Sequence, residues 1–322
     1  MKVAIQCSSW GQRCGISVYA SRLKRYLNQL PEVEAFVFIE EPTEYYDIIS
    51  LQYEPGIMPP TVLKQFIENF KNVPIVVTAH HTRYLSGFYP ILDGVIFHDR
   101  SQIEGELPWE GCYRIIPHPA LVFPKKDKKS LRRKYGLPED KLIIGTAGFI
   151  TGTGKKLPVI ISEILKRMDE DMFLYCITSF WKGGDFGRYT QMMNAAKFLG
   201  KEHQIRIDTE FVDDEILNEK LQACDLLFAW NVTGPNDKGS QSGIAADMYG
   251  SYTKLIVKDS PHYNFIKQQD GVLVGRPRPE DFAEDVINAA KHEDLSDVPD
   301  PKWLSWEEKV KDYVDFFEEI LE

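Results

Sequence analysis

Two stretches of this 322-residue chain combine residue types and spacings that could do chemistry. One is GFITGTGKK, residues 148–156, where Lys155 and Lys156 follow a glycine-bearing loop just ahead of an apolar, helix-patterned run. Ammonium groups on a flexible glycine loop suit a diphosphate, whose charge must be neutralised as a bond to it breaks. The same pair also reads as solvated surface lysines. The spacing is not that of a Walker loop, which needs G-x4-G-K-[ST]. The other stretch is CDLLFAWNVTGPNDKGSQSGIAADMYG, residues 224–250. It reads as a doubly buried strand, a loop of glycine and small polar residues, and a helix closed by Gly250. Ser240, Gln241, Ser242 and Gly243 would offer successive N–H groups at the helix mouth, a site for phosphate or simply an N-cap. Asp237 in the same loop could contact a ligand or could serve the turn after Pro235-Asn236. Arg188 is a further phosphate candidate, or a surface residue at a helix start.

A third group stands at ends of strand-like runs. His80 and His81 close PIVVTAHH, Glu54 follows DIISLQY, and His118 follows YRIIP. In parallel α/β sheets ligands gather outside the carboxyl ends of strands, so His80 and, less directly, His81, His118 and Glu54 are candidate ligand contacts. A structural histidine explains His80 equally well. Gly15, in the loop after the first strand, would let a ligand approach the backbone or would make the turn.

These residues need a scaffold, and the hydrophobic pattern supplies one. KVAIQC, EAFVFIE, DIISLQY, PIVVTAH, GVIFHD and YRIIPH are short apolar runs, and helical spacing marks ISVYASRLKRYLNQL and TVLKQFIENFKN. A second alternation of runs and helices starts at LIIGTAGFI and ends with a C-terminal helix capped by Ser305. The fold class is therefore α/β, with two Rossmann-like domains in series. The division reads as an N-terminal domain 1–122, a linker 123–140, a C-terminal domain 141–302 and a final helix 303–322. The linker assignment rests on Pro119, Pro124 and Pro138 and on seven basic residues between Lys125 and Lys134. That basic run could touch an anionic lipid surface weakly, or could be a solvated connection.

Composition narrows the function. Net charge is −10 with a sequence pI of about 5.3, against the basic footprint of a nucleic-acid binder. Five cysteines are scattered through apolar runs, which reads as reduced thiols in a cytoplasmic protein. Neither a signal-peptide pattern nor an apolar run of membrane-spanning length is found, and no metal-ligand spacing is present.

Taken in order, these fragments resemble a GT-B glycosyltransferase of the large retaining family usually called family 4, also known as glycosyl transferases group 1. CGISVYASRLKRYL resembles that family's glycine loop and first helix. PIVVTAHHT carries its T-x-H, and RIIPHPA resembles its strand into the linker. GFITGTGKK resembles the start of its C-terminal domain, and IRIDTEFVDDEILNEKLQACDLLFAW its run into the donor loop. SWEEKVKDYVDFFEEIL is similar to its last helix, which in the family packs back on the N-terminal domain. The pattern departs at two places. The family's second acidic position falls on Ala245, with Asp237 at the first, and Asp247 lies roughly 200° around the helix from Ala245. Phe149 stands where the family keeps a phosphate-binding arginine.

The resemblance implies two domains facing across a cleft and transfer of a hexose from a nucleotide sugar to a hydroxyl on a glycan, lipid-linked or other acceptor. It implies retained anomeric configuration, no metal and no cofactor beyond the donor, in the synthesis of a polysaccharide or glycoconjugate. Lys155, His80 and Asp237 would serve catalysis. Gly15, Lys155, Lys156, Arg188, Asp237, Ser240, Gln241, Ser242 and Gly243 would hold the donor. Glu54, His80 and His81 would face the acceptor. Two alternatives stay open: a nucleotide-sugar epimerase of the same fold, and a degenerate member that binds nucleotide sugar or a partner without turnover. The missing glutamate at Ala245 favours the second.

Overall fold

The computed structural model describes residues 1–103, 112–150, 157–180, 186–232 and 240–322. The chain divides into two compact units. Met1–Pro119 with Ser240, Gln241 and Leu304–Glu322 make the first, and the second comprises Ala120–Asn236 and Ser242–Trp303.

The first unit begins with β1 (Lys2–Gln6), α1 (Gly15–Leu27), β2 (Glu34–Phe38), β3 (Ile48–Tyr53), α2 (Pro60–Asn69), β4 (Ile75–Ala79), β5 (Gly94–Phe97) and β6 (Tyr113–Ile115). All pairings are parallel, in the order β2-β1-β3-β4-β5-β6. Strand order reverses between β1 and β3, the switch point where such sheets leave a crevice. β3, β4 and β5 are buried throughout, as continuous apolar runs in a two-sided parallel sheet should be. α1 buries Tyr19, Leu23, Tyr26 and Leu27 along one stripe, and the Cys14 thiol caps its start by accepting from Ser17 N–H.

The second unit holds α3 (Lys128–Tyr135), β7 (Leu142–Ile150), α4 (Leu157–Arg167), β8 (Met172–Phe180), α5 (Phe186–Phe198), β9 (Ile205–Asp208), α6 (Asp214–Gln222), β10 (Leu226–Ala229), α7 (Gly243–Tyr249), β11 (Lys254–Lys258), β12 (Val272–Gly275) and α8 (Pro279–His292). Its sheet is again parallel, ordered β12-β11-β10-β7-β8-β9, with the switch point between β7 and β10. Ile160, Ile161, Ile164 and Leu165 of α4 pack with Phe282, Val286 and Ile287 of α8 over Leu174, Phe228 and Ile256 of the strands.

The segment 123–140, read from sequence as a connection, belongs to the second unit and contains α3. Asp127 caps that helix, and Gly136 ends it in the left-handed region at φ 63°. Its basic run is turned inward electrostatically. Lys126 meets Glu215 and Glu219 at 2.9 and 2.6 Å, Lys134 meets Glu219 at 2.5 Å, and Arg132 and Lys128 meet Asp225 at 2.5 and 3.0 Å.

The last helix, α9 (Trp306–Leu321), is part of the first unit. Ser305 caps it by accepting from Glu308 N–H, and Trp306, Val310, Tyr313, Phe316 and Phe317 form the face it buries. The ring of Phe316 lies where a Cβ on Gly94 of β5 would stand, 2.9 Å away. Tyr26 stacks on Trp306, and the Tyr19 and Tyr313 hydroxyls share a hydrogen bond.

Candidate functional site

At the carboxyl edge of the first sheet, the residues that follow β4, β5 and β6 bring three histidines together. His80, His98 and His118 are all buried. His98 lies 5.4 Å from His80 and 5.0 Å from His118, centroid to centroid, and Tyr19 of α1 presents its ring to all three. The Gln52 amide donates to Ser50 Oγ, so its Oε1 faces His80 and accepts from His80 Nε2–H at 2.9 Å. His98 Nδ1–H donates to the Ile116 carbonyl at 2.9 Å. His98 Nε2 is buried with no hydrogen-bond partner among the described residues, as is the hydroxyl of Thr82, which follows His81. Burial, together with the neighbouring His98, holds His80 well below the ordinary histidine range. Burial does the same to His118, and brings His98 down to about 4. All three rings are therefore neutral near pH 7, able to orient a hydroxyl and too weakly basic to hold its proton.

His81 turns its Nδ1 to the Arg83 N–H, and its backbone forms an isolated antiparallel bridge with Ser240. Glu54 folds back over its own turn, its carboxylate 2.9 Å from where a Cβ on Gly56 would sit. Gly15 opens α1 with nothing within 4 Å of a would-be Cβ, so its lack of a side chain is not a packing requirement.

In the second unit the strand-end chemistry lies on β7, β10 and β11. Lys155, Lys156 and Asp237 lie outside the described residues. Phe149, at the family's arginine position, stacks on Phe211 with centroids 6.0 Å apart. Arg188 stands in the first turn of α5. Ser242 spends its hydroxyl on capping α7, accepting from Ala245 N–H at 3.3 Å. That helix has seven residues, under two turns, which leaves little dipole to aim at an anion. The division between the units falls between Gln241 and Ser242, so Ser240 and Gln241 group with the first unit and Ser242 and Gly243 with the second.

Ala245 is fully buried, and Asp247 two residues on is buried as well. Asp247 Oδ1 accepts from the Leu121 N–H at 3.1 Å, while Asn218 Nδ2 donates to the Leu121 carbonyl. A buried carboxylate used this way positions the chain.

Strand-end groups not named as candidates from sequence also occur, two of them within the stretch 224–250. Trp230 and Asn231 follow β10, and Lys258 ends β11 beside them, since the register pairs Ala229 with Val257. His98 follows β5 as His80 follows β4, and the same strand-end rule would have found it. Among the described residues, no group of three or more His, Cys, Asp or Glu could hold a metal ion, and no helix is long and apolar enough to cross a membrane.

No protein-family model matches the chain, and no curated protein does. Solved structures do. A glycosyltransferase from Rickettsia africae superposes with a TM-score of 0.74 at 11% identity, covering 100% of this chain and 98% of that one. The Anabaena protein HepE, crystallised with UDP and glucose, gives 0.70 at 12% identity over 99% and 98%. Sucrose-phosphate synthase from Thermosynechococcus elongatus gives 0.65 at 13% identity over 100% and 96%. The chain has the GT-B fold. Both of its six-stranded parallel sheets belong to that architecture, and the expected α/β class with two Rossmann-like units holds along the whole chain.

Proposed function

We propose that this GT-B protein transfers a hexose from a nucleotide sugar to an acceptor hydroxyl, with retained configuration and without a metal. The observation that carries the proposal is its end-to-end likeness to a glycosyltransferase from Rickettsia africae and to HepE, which was crystallised with UDP and glucose. The second unit would hold the donor, with Lys155 and Lys156 neutralising the leaving diphosphate and Asp237 meeting sugar hydroxyls. The neutral His80, fixed by Gln52, would orient a hydroxyl on the acceptor side. Synthesis of a polysaccharide or glycoconjugate in the cytoplasm is the setting we infer.

One observation favours a second reading, binding without turnover: a fully buried alanine, Ala245, stands at the position where the resemblance places a glutamate. Incubation with UDP-, GDP- and ADP-sugars separates the two. Transfer predicts slow release of free sugar and nucleoside diphosphate from one donor, and loss of that release in a Lys155→Ala, Lys156→Ala double variant. A thermal shift with no release supports binding alone. No shift and no release with any donor rejects both.

A further inference from the structure

Three buried groups meet at the carboxyl ends of β10 and β11, and the roles assigned so far do not use them. Asn231 is 4% exposed, yet neither its amide nitrogen nor its amide oxygen has a hydrogen-bond partner among the described residues. The indole N–H of Trp230, in a residue 5% exposed, is likewise without one. Lys258, 6% exposed, donates from Nζ to the Asn231 backbone carbonyl at 2.9 Å and lies 4.9 Å over the Trp230 ring. An amide buried without partners costs about 1–3 kcal/mol, and a fold tolerates that readily where a ligand completes the bonds. Both ends of the Asn231 amide lack a partner among the described residues, and its backbone carbonyl holds the Lys258 ammonium that lies over the adjacent Trp230 ring.

The pattern of donors and acceptors selects the ligand. A phosphate oxygen could take hydrogen bonds from Asn231 Nδ2, Trp230 Nε1 and Lys258, but it carries no proton to give Asn231 Oδ1. A hydroxyl group both gives and accepts. Two adjacent hydroxyls satisfy the two ends of one amide, and the remaining oxygen lone pairs take the indole and ammonium donors. We infer that Asn231, with Trp230 and Lys258, forms a subsite for a vicinal diol of the donor. The inference rests on the nucleotide-sugar proposal and adds to it the residues that read hydroxyls on the second unit. The diol belongs either to the transferred hexose or to the nucleotide ribose.

Titration calorimetry on the full chain tests this with the most stabilising of UDP-, GDP- and ADP-glucose, its parent nucleoside diphosphate and the 2′-deoxy form of that diphosphate. Asn231→Leu removes both polar ends at similar size, and Asn231→Ser is a second, milder variant should the first fold poorly. A roughly tenfold loss of affinity for the sugar nucleotide is expected from Asn231→Leu. Loss confined to the sugar nucleotide places the diol on the hexose. Equal loss for diphosphate and sugar nucleotide, with the 2′-deoxy form binding wild type and variant alike, places it on the ribose. Equal loss on all three ligands marks a structural role and overturns the subsite. So does unchanged affinity in variants that melt like wild type, while the nucleotide-sugar proposal stands. A wild-type protein that binds none of the ligands overturns that proposal and the subsite with it.

Discussion

Asp247 Oδ1 accepts a hydrogen bond from the backbone N–H of Leu121, 126 positions earlier in the chain, at 3.1 Å. The end of the same segment closes on the following peptide, because a Cβ on Gly250 would stand 2.1 Å from the Leu121 carbonyl oxygen. Asp247 and Gly250 therefore act on the two peptide groups that flank Leu121, at the start of the second unit. Asp247→Ala leaves a buried N–H without its acceptor and should cost about 1–3 kcal/mol. Gly250→Ala should cost a similar amount by overpacking. Urea denaturation measures both. An Asp247→Ala variant as stable as wild type, but unable to bind a nucleotide sugar, would return this carboxylate to the donor site.

The three-histidine cluster makes stability fall in mild acid. Each folded-state pKa lies below the unfolded value near 6.5, so the unfolded chain binds more protons as pH drops. The penalty is absent above that value, grows as pH falls through it, and for His98 levels off near pH 4. His98 alone contributes about 3 kcal/mol over that window. The groups facing the rings are Tyr19, Gln52 and Arg22, and the positive Arg22 adds to the cost of charging His118. Melting temperature measured from pH 7.5 to 5 should drop below 6.5, and His98→Gln should flatten the decline. A profile as steep in the variant as in wild type would remove His98 from the account.

The basic run of α3 is held by acids of its own unit. With Lys126, Lys128, Arg132 and Lys134 paired to Glu215, Glu219 and Asp225, little of its charge is left to attract a surface. The protein should remain in the supernatant when anionic phosphatidylserine vesicles are sedimented at physiological salt. Co-sedimentation lost on neutralising Lys125 and Lys129 would show that the run binds lipid through its remaining lysines.

Periodicity made most of this fold legible. The runs of β1, β3, β4, β7, β10 and β11 are mostly apolar and mostly buried, and α1 and α9 carry a buried stripe. α3 escaped because its only buried side chains are Leu131 and Arg132, and a helix that buries a charge shows no stripe. β12 escaped because its four residues are mostly half-buried at a sheet edge. His80 was visible as a strand-end residue, whereas Gln52, which fixes its ring, became its partner only through the pairing of β3 with β4. Asn231 lies in the stretch 224–250 singled out from sequence, and Lys258 lies beyond it. Only the register of β10 and β11 makes them neighbours.

Gly15 offers the cleanest separation of ligand contact from folding. It opens α1 at an exposed position, and a methyl group there would meet nothing within 4 Å. Its φ is not in the left-handed region, so an alanine is not strained. Gly15→Ala should leave stability unchanged or raise it by about 0.4–1 kcal/mol through a less flexible unfolded chain. If a substrate lies against this backbone, the same methyl group removes the room for it. Substrate affinity should then fall while the melting temperature holds or rises. Steady-state kinetics with the donor found by the sugar-nucleotide panel measures this as a raised KM. Unchanged KM for donor and acceptor alike would reduce Gly15 to the residue that turns the chain into α1.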